Sequence, residues 1–366
     1  MRITAAVARE HHAPLAIEDI EIAEPRDDEV LVRVVATGVC HTDMVIMEGM
    51  LPTPLPVVLG HEGSGIVEKV GKSITKVKPG DHVVMTVDSC GHCPACLHHD
   101  VTYCHNGYPL NFGGSRMDGT TTLGSHGAVV HSNFFGQSSF ATYSVCHERN
   151  VVKVPDDVEL EKLGPLGCGI QTGAGTVMNA LAVEPGRSIA IFGAGAVGLS
   201  AVMGAVVQGA TTIIAVDMVE SRLELARELG ATHTINGKTA NAVAEIMKIT
   251  GYGLHYALDT TGNAKVIRQA VECLAPKGTC AVVGASGPEA EIVLNETHFM
   301  SGGRRLMGVV EGDSNPDIFI PTLIALWKQG RFPFDRLITF FPFEQINEAI
   351  KASEAGVAIK PILRIA

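Results

Sequence analysis

The sequence predicts an α/β chain in two parts: a doubly wound parallel sheet joined to a β-rich portion. Three observations carry this. Around residue 190 an apolar strand runs through a glycine-rich turn into a helix. After about residue 170, strands and helices alternate. Before it, apolar runs are short and separated by turn residues. At 366 residues the chain has room for two domains, each with its own core.

The composition, 46% hydrophobic and 18% charged, is ordinary for a soluble enzyme. A net charge of −11 argues against nucleic acid and against a polyanionic membrane surface, both of which need clustered Lys and Arg. Residues 1–10 carry no apolar core with a small-residue cleavage site, so a cytoplasmic protein is expected. Residues 188–216 are uncharged and long enough to span a bilayer, but glycines at 193, 195, 198, 204 and 209 break them into strand, turn and helix.

In the first half, residues 29–36 (EVLVRVVA), 65–70 and 82–87 have strand character, the last preceded by the turn Pro79-Gly80-Asp81. Residues 105–140 are rich in Gly, Ser, Thr and Asn without periodicity and are expected to be loop. Strands follow at 141–145 and 151–154. In the second half the expected order is strand 188–192, helix 196–208, strand 212–216, helix 220–229, strand 232–235, helix 239–249, strand 255–258, helix 263–274 and strand 279–283. The tail predicts helices at 316–328 and 343–355 and a strand at 361–365.

Three groups of residues carry chemistry. The first is Gly193-Ala194-Gly195-Ala196-Val197-Gly198, after a strand and before a helix. In that setting glycines permit a tight turn and let backbone N–H groups approach a pyrophosphate. Asp217 ends the next strand, where a carboxylate accepts from ribose hydroxyls and repels a 2′-phosphate, so NAD is preferred to NADP.

The second is Cys90-x-x-Cys93-x-x-Cys96-x7-Cys104. Four thiols this close suit one tetrahedral zinc with no open position, a structural site. His92, His98, His99 and His105 around them are expected to be surface residues. There are nine cysteines in all, an odd number that suits thiols and metal ligands better than disulfides. Cys146, Cys273 and Cys280 are expected to be buried and inert.

The third is Cys40-His41-Thr42-Asp43 with Gly60-His61-Glu62-Gly63. Cys40 and His61 are soft-metal ligand types, and Asp43 is placed to accept the second N–H of a ligating histidine. Cys168, in Gly167-Cys168-Gly169, is either a third ligand or a small buried residue between glycines.

With these motifs in this order, the chain resembles the zinc-dependent medium-chain alcohol dehydrogenases along essentially its whole length. Gly60-His61-Glu62-Gly63-Ser64-Gly65, followed by Gly71, matches that family's zinc motif. Within the family the likeness is strongest to bacterial aryl-alcohol (benzyl-alcohol) dehydrogenases, through VATGVCHTDMVIMEG, VDSCGHCPACLHHD and NFFGQSSFATYSV.

The resemblance implies a GroES-like catalytic domain over 1–170 with a structural-zinc lobe at about 88–106, a Rossmann NAD-binding domain over 171–310, and a return to the catalytic domain over 311–366. It implies two zinc ions per subunit and oxidation of a primary, benzyl-type alcohol to its aldehyde with NAD as hydride acceptor. Cys40, His61 and Cys168 would hold the catalytic zinc. Asp43 would orient His61, Glu62 would lie behind the metal, and Thr42 would take the alcohol proton. His41 and Lys360 match basic positions near the pyrophosphate, and Thr172 and Val197 match positions near the nicotinamide. Arg222 joins Asp217 among the cofactor-binding candidates. Val45, Met47, Thr86, Phe134 and Phe135 are the substrate-pocket candidates, apolar and aromatic enough for an uncharged aromatic alcohol.

One departure concerns the proton path. Animal-type members carry a histidine three residues after the relay hydroxyl, where this chain has Val45, so water or another histidine would deliver the proton outside. Other readings of the same residues are an aliphatic alcohol dehydrogenase, a glutathione-dependent formaldehyde dehydrogenase with Arg116 as its one basic candidate, and a non-catalytic nucleotide-binding relative. Family members assemble as homodimers or homotetramers.

Overall fold

The computed structural model describes residues 1–287 and 289–365. Two units emerge from the internal contacts. One comprises Met1–Cys168, Asn315–Thr322 and Asp335–Ala366, and the other Gly169–Ser314 and Leu323–Phe334.

The first unit is built on two sheets. A five-stranded sheet has the order Val57–Val58, Arg2–Ala8, Ala16–Ile22, Leu123–Ser125, Ala128–Val130. In the second, Val151–Lys153, His82–Met85, Gly63–Val70, Glu29–Gly38, Lys360–Arg364 and Ile338–Pro342 run side by side, and Tyr143–His147 also pairs with Glu29–Gly38. Glu29–Gly38 is almost wholly buried, which is why it reads as a near-continuous apolar run rather than a strict alternation. One core joins Ile3, Ile20, Leu59, Phe134, Phe140 and Leu363. A smaller one gathers Val30, Val32, Val67, Val83 and Met85.

The second unit holds six parallel strands in the order His233–Asn236, Thr212–Asp217, Ser188–Phe192, Leu254–Asp259, Leu274–Val282, Arg305–Gly308. In chain order this is 3-2-1-4-5-6, the doubly wound arrangement whose switch point lies beside Ser188–Phe192. That strand is buried at every residue and leads into the helix Ala196–Val207 through the glycine turn. Among the described residues no helix is long and apolar enough to cross a membrane.

Several elements differ from the sequence expectation. Residues 105–140 are not all loop: they contain the helix Gly107–Phe112 and the hairpin Leu123–Ser125/Ala128–Val130. The hairpin turns on His126 and Gly127, both with positive φ (48° and 81°), so a two-residue turn of the favoured hand is encoded by His-Gly instead of the more recognisable Asn-Gly. The strand expected at 279–283 begins at Leu274, and Lys277 within it adopts φ 67°. Asn241 caps the helix Ala242–Thr250 by accepting from Ala244 N–H, which moves its start inward from 239.

Candidate active site

The helix His41–Met47 sets the first ligand pair. Cys40 stands at its N-cap, and Asp43, one turn in, reaches back to accept from Cys40 N–H at 3.0 Å. The same carboxylate accepts from Gly60 N–H and from His61 Nδ1, each at 3.0 Å. Asp43 and His61 are both fully buried. With Nδ1–H donated to Asp43, His61 turns Nε2 inward, where it is buried with no hydrogen-bond partner among the described residues.

One ligand atom from each of Cys40, His61, Glu62 and Cys168 falls within 4.8 Å of the others. Burial would lower the His61 pKa, but Asp43 and the Cys40 thiol push it well above the usual range. A hydrogen bond with Cys168 is the largest cause holding the Cys40 thiol well below its ordinary value. Burial opposes it, while His61 and Lys360 add to it. Two thiols and an orphaned imidazole nitrogen that converge on one point form a donor set that fits zinc, with Glu62 beside them.

Glu62 is fully buried and burial pushes its carboxyl up to about 7, against the pull of Lys360. Lys360 Nζ donates to both Glu62 oxygens at 2.8 Å and to Val39 O at 3.2 Å. Lys360, expected near a pyrophosphate, is 3% exposed and its N–H donors are directed at Glu62 and a backbone carbonyl.

The aromatic candidates lie against His61. Phe135 stacks on its ring, centroids 4.4 Å apart and planes 24° apart, and Phe134 meets it edge-on at 5.4 Å. Phe112 touches both phenylalanines, and Tyr108 stacks on Phe112, extending the cluster to the exposed Tyr108. Phe134 is wholly buried. Thr86 is 1% exposed and its hydroxyl donates to Gly167 O at 2.8 Å. Thr42 Oγ1 lies 3.9 Å from Cys40 Sγ and is half-buried, whereas His41 is exposed. Val45 is buried, and Met47 packs on the core. Arg116 makes a bidentate ion pair with Glu29, both nearly buried, so its charge is neutralised where it stands.

The second cluster is Cys90, Cys93, Cys96 and Cys104, whose sulfurs also fall within 4.8 Å of one another. All are free thiols. Backbone N–H groups of Cys90, Cys93 and His105 point at Cys104, Cys90 and Cys93 sulfurs respectively, at 3.2 to 3.4 Å. Such donors stabilise thiolates; burial opposes them, yet those at Cys90 lower it to about 5. The four neighbouring histidines are exposed. This all-sulfur set fits a tetrahedral zinc.

In the second unit, the three glycines of the turn differ in what surrounds them. Gly193 adopts φ 96°. A Cβ at Gly198 would overlap Gly193 O, whereas a Cβ at Gly195 would meet nothing within 4 Å. These are a tight turn, a close helix–strand contact and an open approach. Asp217 accepts from Ala194 N–H at 2.6 Å and from Met218 and Val219 N–H. Arg222 Nε is buried without a partner among the described residues. Val197 is half-buried on the following helix, and Thr172 donates to Glu311 at 3.2 Å.

Gln137, Asn150 and Phe112 at the site belong to no sequence motif. Gln137 and Asn150 are buried polar residues that touch the backbone around His61 and Thr86. Nothing in a glycine- and serine-rich stretch marks one amide as structural.

Two sheets with a buried Cys–His–Cys cluster, a four-sulfur lobe and a doubly wound sheet with its glycine turn define a zinc- and nucleotide-dependent oxidoreductase. Residues 26–156 match the alcohol dehydrogenase GroES-like domain, and residues 196–327 match the zinc-binding dehydrogenase family. The chain belongs to the zinc-dependent medium-chain alcohol dehydrogenases. It is 49% identical to a geraniol dehydrogenase of Castellaniella defragrans over 361 residues, 98% of this chain and 96% of the relative. It superposes on an alcohol dehydrogenase zinc-binding domain protein from Burkholderia ambifaria with TM-score 0.99 and 53% identity, covering 100% of this chain and 99% of that one. Against the benzyl alcohol dehydrogenase of Acinetobacter calcoaceticus the TM-score is 0.98 at 48% identity, over 100% of both chains.

Proposed function

We propose that this alcohol dehydrogenase oxidises primary alcohols whose carbinol carbon is attached to an aromatic ring, using NAD and two zinc ions per subunit. The observation that carries the substrate reading is the aromatic cluster in which Phe134 and Phe135 pack on His61 and Phe112 packs on both of them. Aromatic walls favour a flat, polarisable substrate over a short alkyl one. The bidentate Glu29 pair of Arg116 speaks against an anionic glutathione adduct.

Cys40, His61 and Cys168 would hold the catalytic zinc, and Cys90, Cys93, Cys96 and Cys104 the structural one. When bound, the catalytic zinc supplies Lewis-acid polarisation of the alcohol and NAD accepts the hydride. Asp43 fixes the His61 tautomer so that Nε2 presents its lone pair inward. Thr42, beside Cys40, is the hydroxyl that receives the alcohol proton. Val45 has no group that could carry it further, so its exit from Thr42 would fall to water or to another histidine. Glu62, held by Lys360, keeps a carboxylate behind the ligands. The Asp217 carboxylate would accept the adenosine ribose hydroxyls and disfavour a 2′-phosphate.

A second reading follows from the relative named for geraniol, an allylic alcohol: any sp2 carbon next to the carbinol would then suffice. Turnover of benzyl alcohol, geraniol and ethanol with NAD and NADP, on zinc-quantified enzyme, tests both. The aryl reading expects kcat/KM highest for benzyl alcohol and at least tenfold lower for ethanol. Geraniol ahead of benzyl alcohol supports the allylic reading, and ethanol ahead of both would sink the two together.

A further inference from the structure

Gln137, Thr86 and Asn150 form a continuous buried polar tie between two of the metal-ligating residues. Gln137 is 2% exposed, Thr86 1% and Asn150 0%. Gln137 Nε2 donates to the carbonyl of His61 at 3.0 Å, and its Oε1 accepts from Gly63 N–H at 3.1 Å, so one amide brackets the peptide groups on both sides of Glu62. The same Nε2 lies 3.4 Å from Thr86 O. Asn150 Nδ2 donates to Thr86 O at 3.0 Å and to Phe135 O at 3.1 Å. The Thr86 hydroxyl then donates to Gly167 O at 2.8 Å, on the residue just before Cys168.

The backbone gives way to make these contacts. Phe135 (φ 48°), Gly136 (φ 66°) and Ser138 (φ 53°) are left-handed, and Asn133 before them has φ 61°. For Phe135 and Ser138 this conformation is strained and persists only where its surroundings hold it. It brings the Phe135 ring onto His61 and the Gln137 amide under it. A Cβ at Gly63 would crowd Gln137 and Met85, one at Gly164 would overlap Glu62 O, and one at Gly167 would overlap Met85 O. Glycine at these three places lets the segments bearing His61, Thr86 and Cys168 approach at backbone distance.

We propose that Gln137 and Thr86 are positioning residues that set the spacing of His61 and Cys168 for the catalytic metal. This rests on the zinc reading above. The hydrogen bonds of both side chains go to peptide groups beside the ligands, and each acts through the peptide group it holds. Their loss would leave the fold largely in place and widen the distribution of ligand geometries.

The test is made on the full chain with cobalt exchanged for the catalytic zinc. Thr86→Val removes the hydroxyl at constant shape, Thr86→Ser retains it, and Gln137→Met removes the amide. The expected result for Thr86→Val and Gln137→Met is an altered cobalt d–d spectrum and metal release to a chelator about tenfold faster at that site. Thr86→Ser keeps both near wild type, and metal in the four-cysteine lobe is held as before. Unchanged spectra and release rates in Thr86→Val and Gln137→Met would overturn the proposal, as would equal defects in Thr86→Val and Thr86→Ser. Should Thr86→Val not fold, Gln137→Met alone decides. A separate result, wild-type enzyme that takes up metal in the lobe but none at Cys40, His61 and Cys168, would instead overturn the zinc reading itself.

Discussion

Lys360 directs its ammonium to both carboxylate oxygens of Glu62, each at 2.8 Å, with the two side chains 4% and 0% exposed. The pair joins the strand Lys360–Arg364, near the end of the chain, to the residue beside His61. Breaking a buried pair from one side strands the other charge, at a cost of about 3–5 kcal/mol. Lys360→Met should therefore lower Tm by roughly 6 °C or more, at 2–4 °C per kcal/mol for a unit of this size. The double variant Glu62→Gln/Lys360→Met should recover most of the loss. Scanning calorimetry of the three proteins checks this, and a double variant less stable than Lys360→Met would count against it.

Asp43 accepts three N–H groups, from Cys40, Gly60 and His61. Asp43→Ala leaves all three buried donors unsatisfied, each at about 1–3 kcal/mol, and should yield little folded protein. Asp43→Asn keeps the shape but removes the charge facing His61. Its catalytic zinc should bind about 10–100-fold more weakly, measured by chelator competition.

The glycine turn offers a pair of substitutions with opposite signatures. Gly195→Ala adds a Cβ into open space, so Tm without cofactor should stay within a degree or two, a change of about 0.5 kcal/mol. NAD affinity should nevertheless fall, on the order of tenfold, because the methyl takes room the pyrophosphate needs. Gly198→Ala drives its Cβ into Gly193 O and should lower Tm as well as affinity. Thermal melts beside NAD titrations separate the two, and equal melting losses in both variants would contradict the geometry.

The four-sulfur lobe contains no disulfide to stand in for a metal. Cys104→Ser should lower the zinc content by one ion per subunit and expose the segment around residues 94–112 to proteolysis. Zinc quantification and mass mapping of limited digests read both effects. Unchanged zinc content and protease resistance would show that Cys104 holds no metal in the lobe.

The second unit was largely legible because its rules are local. Ser188–Phe192 and Thr212–Asp217 are short apolar runs, Glu220–Glu228 is visibly amphipathic, and the glycine turn lies between a strand and a helix. The first unit was less so. Arg2–Ala8 and Ala16–Ile22 carry β-branched residues, but interleaved with alanines in the first and acidic residues in the second, which are depleted in strands, and their antiparallel pairing with each other secures them. The His126-Gly127 turn hid a hairpin inside an apparent loop.

At the site the division is the same. Residue types and spacing alone singled out Cys40, His61, Asp43 and the four lobe cysteines, since soft ligands and their partners are few and chemically distinct. They left Cys168 open between ligand and filler, and packing brings its sulfur into the Cys40–His61 cluster. The Lys360–Glu62 pair, the stacking of Phe135 on His61 and the Gln137–Thr86 tie had no sequence signature at all. Each joins residues far apart in the chain, and an amide or a lysine acquires its role only from the peptide or carboxylate that folding sets within hydrogen-bond reach.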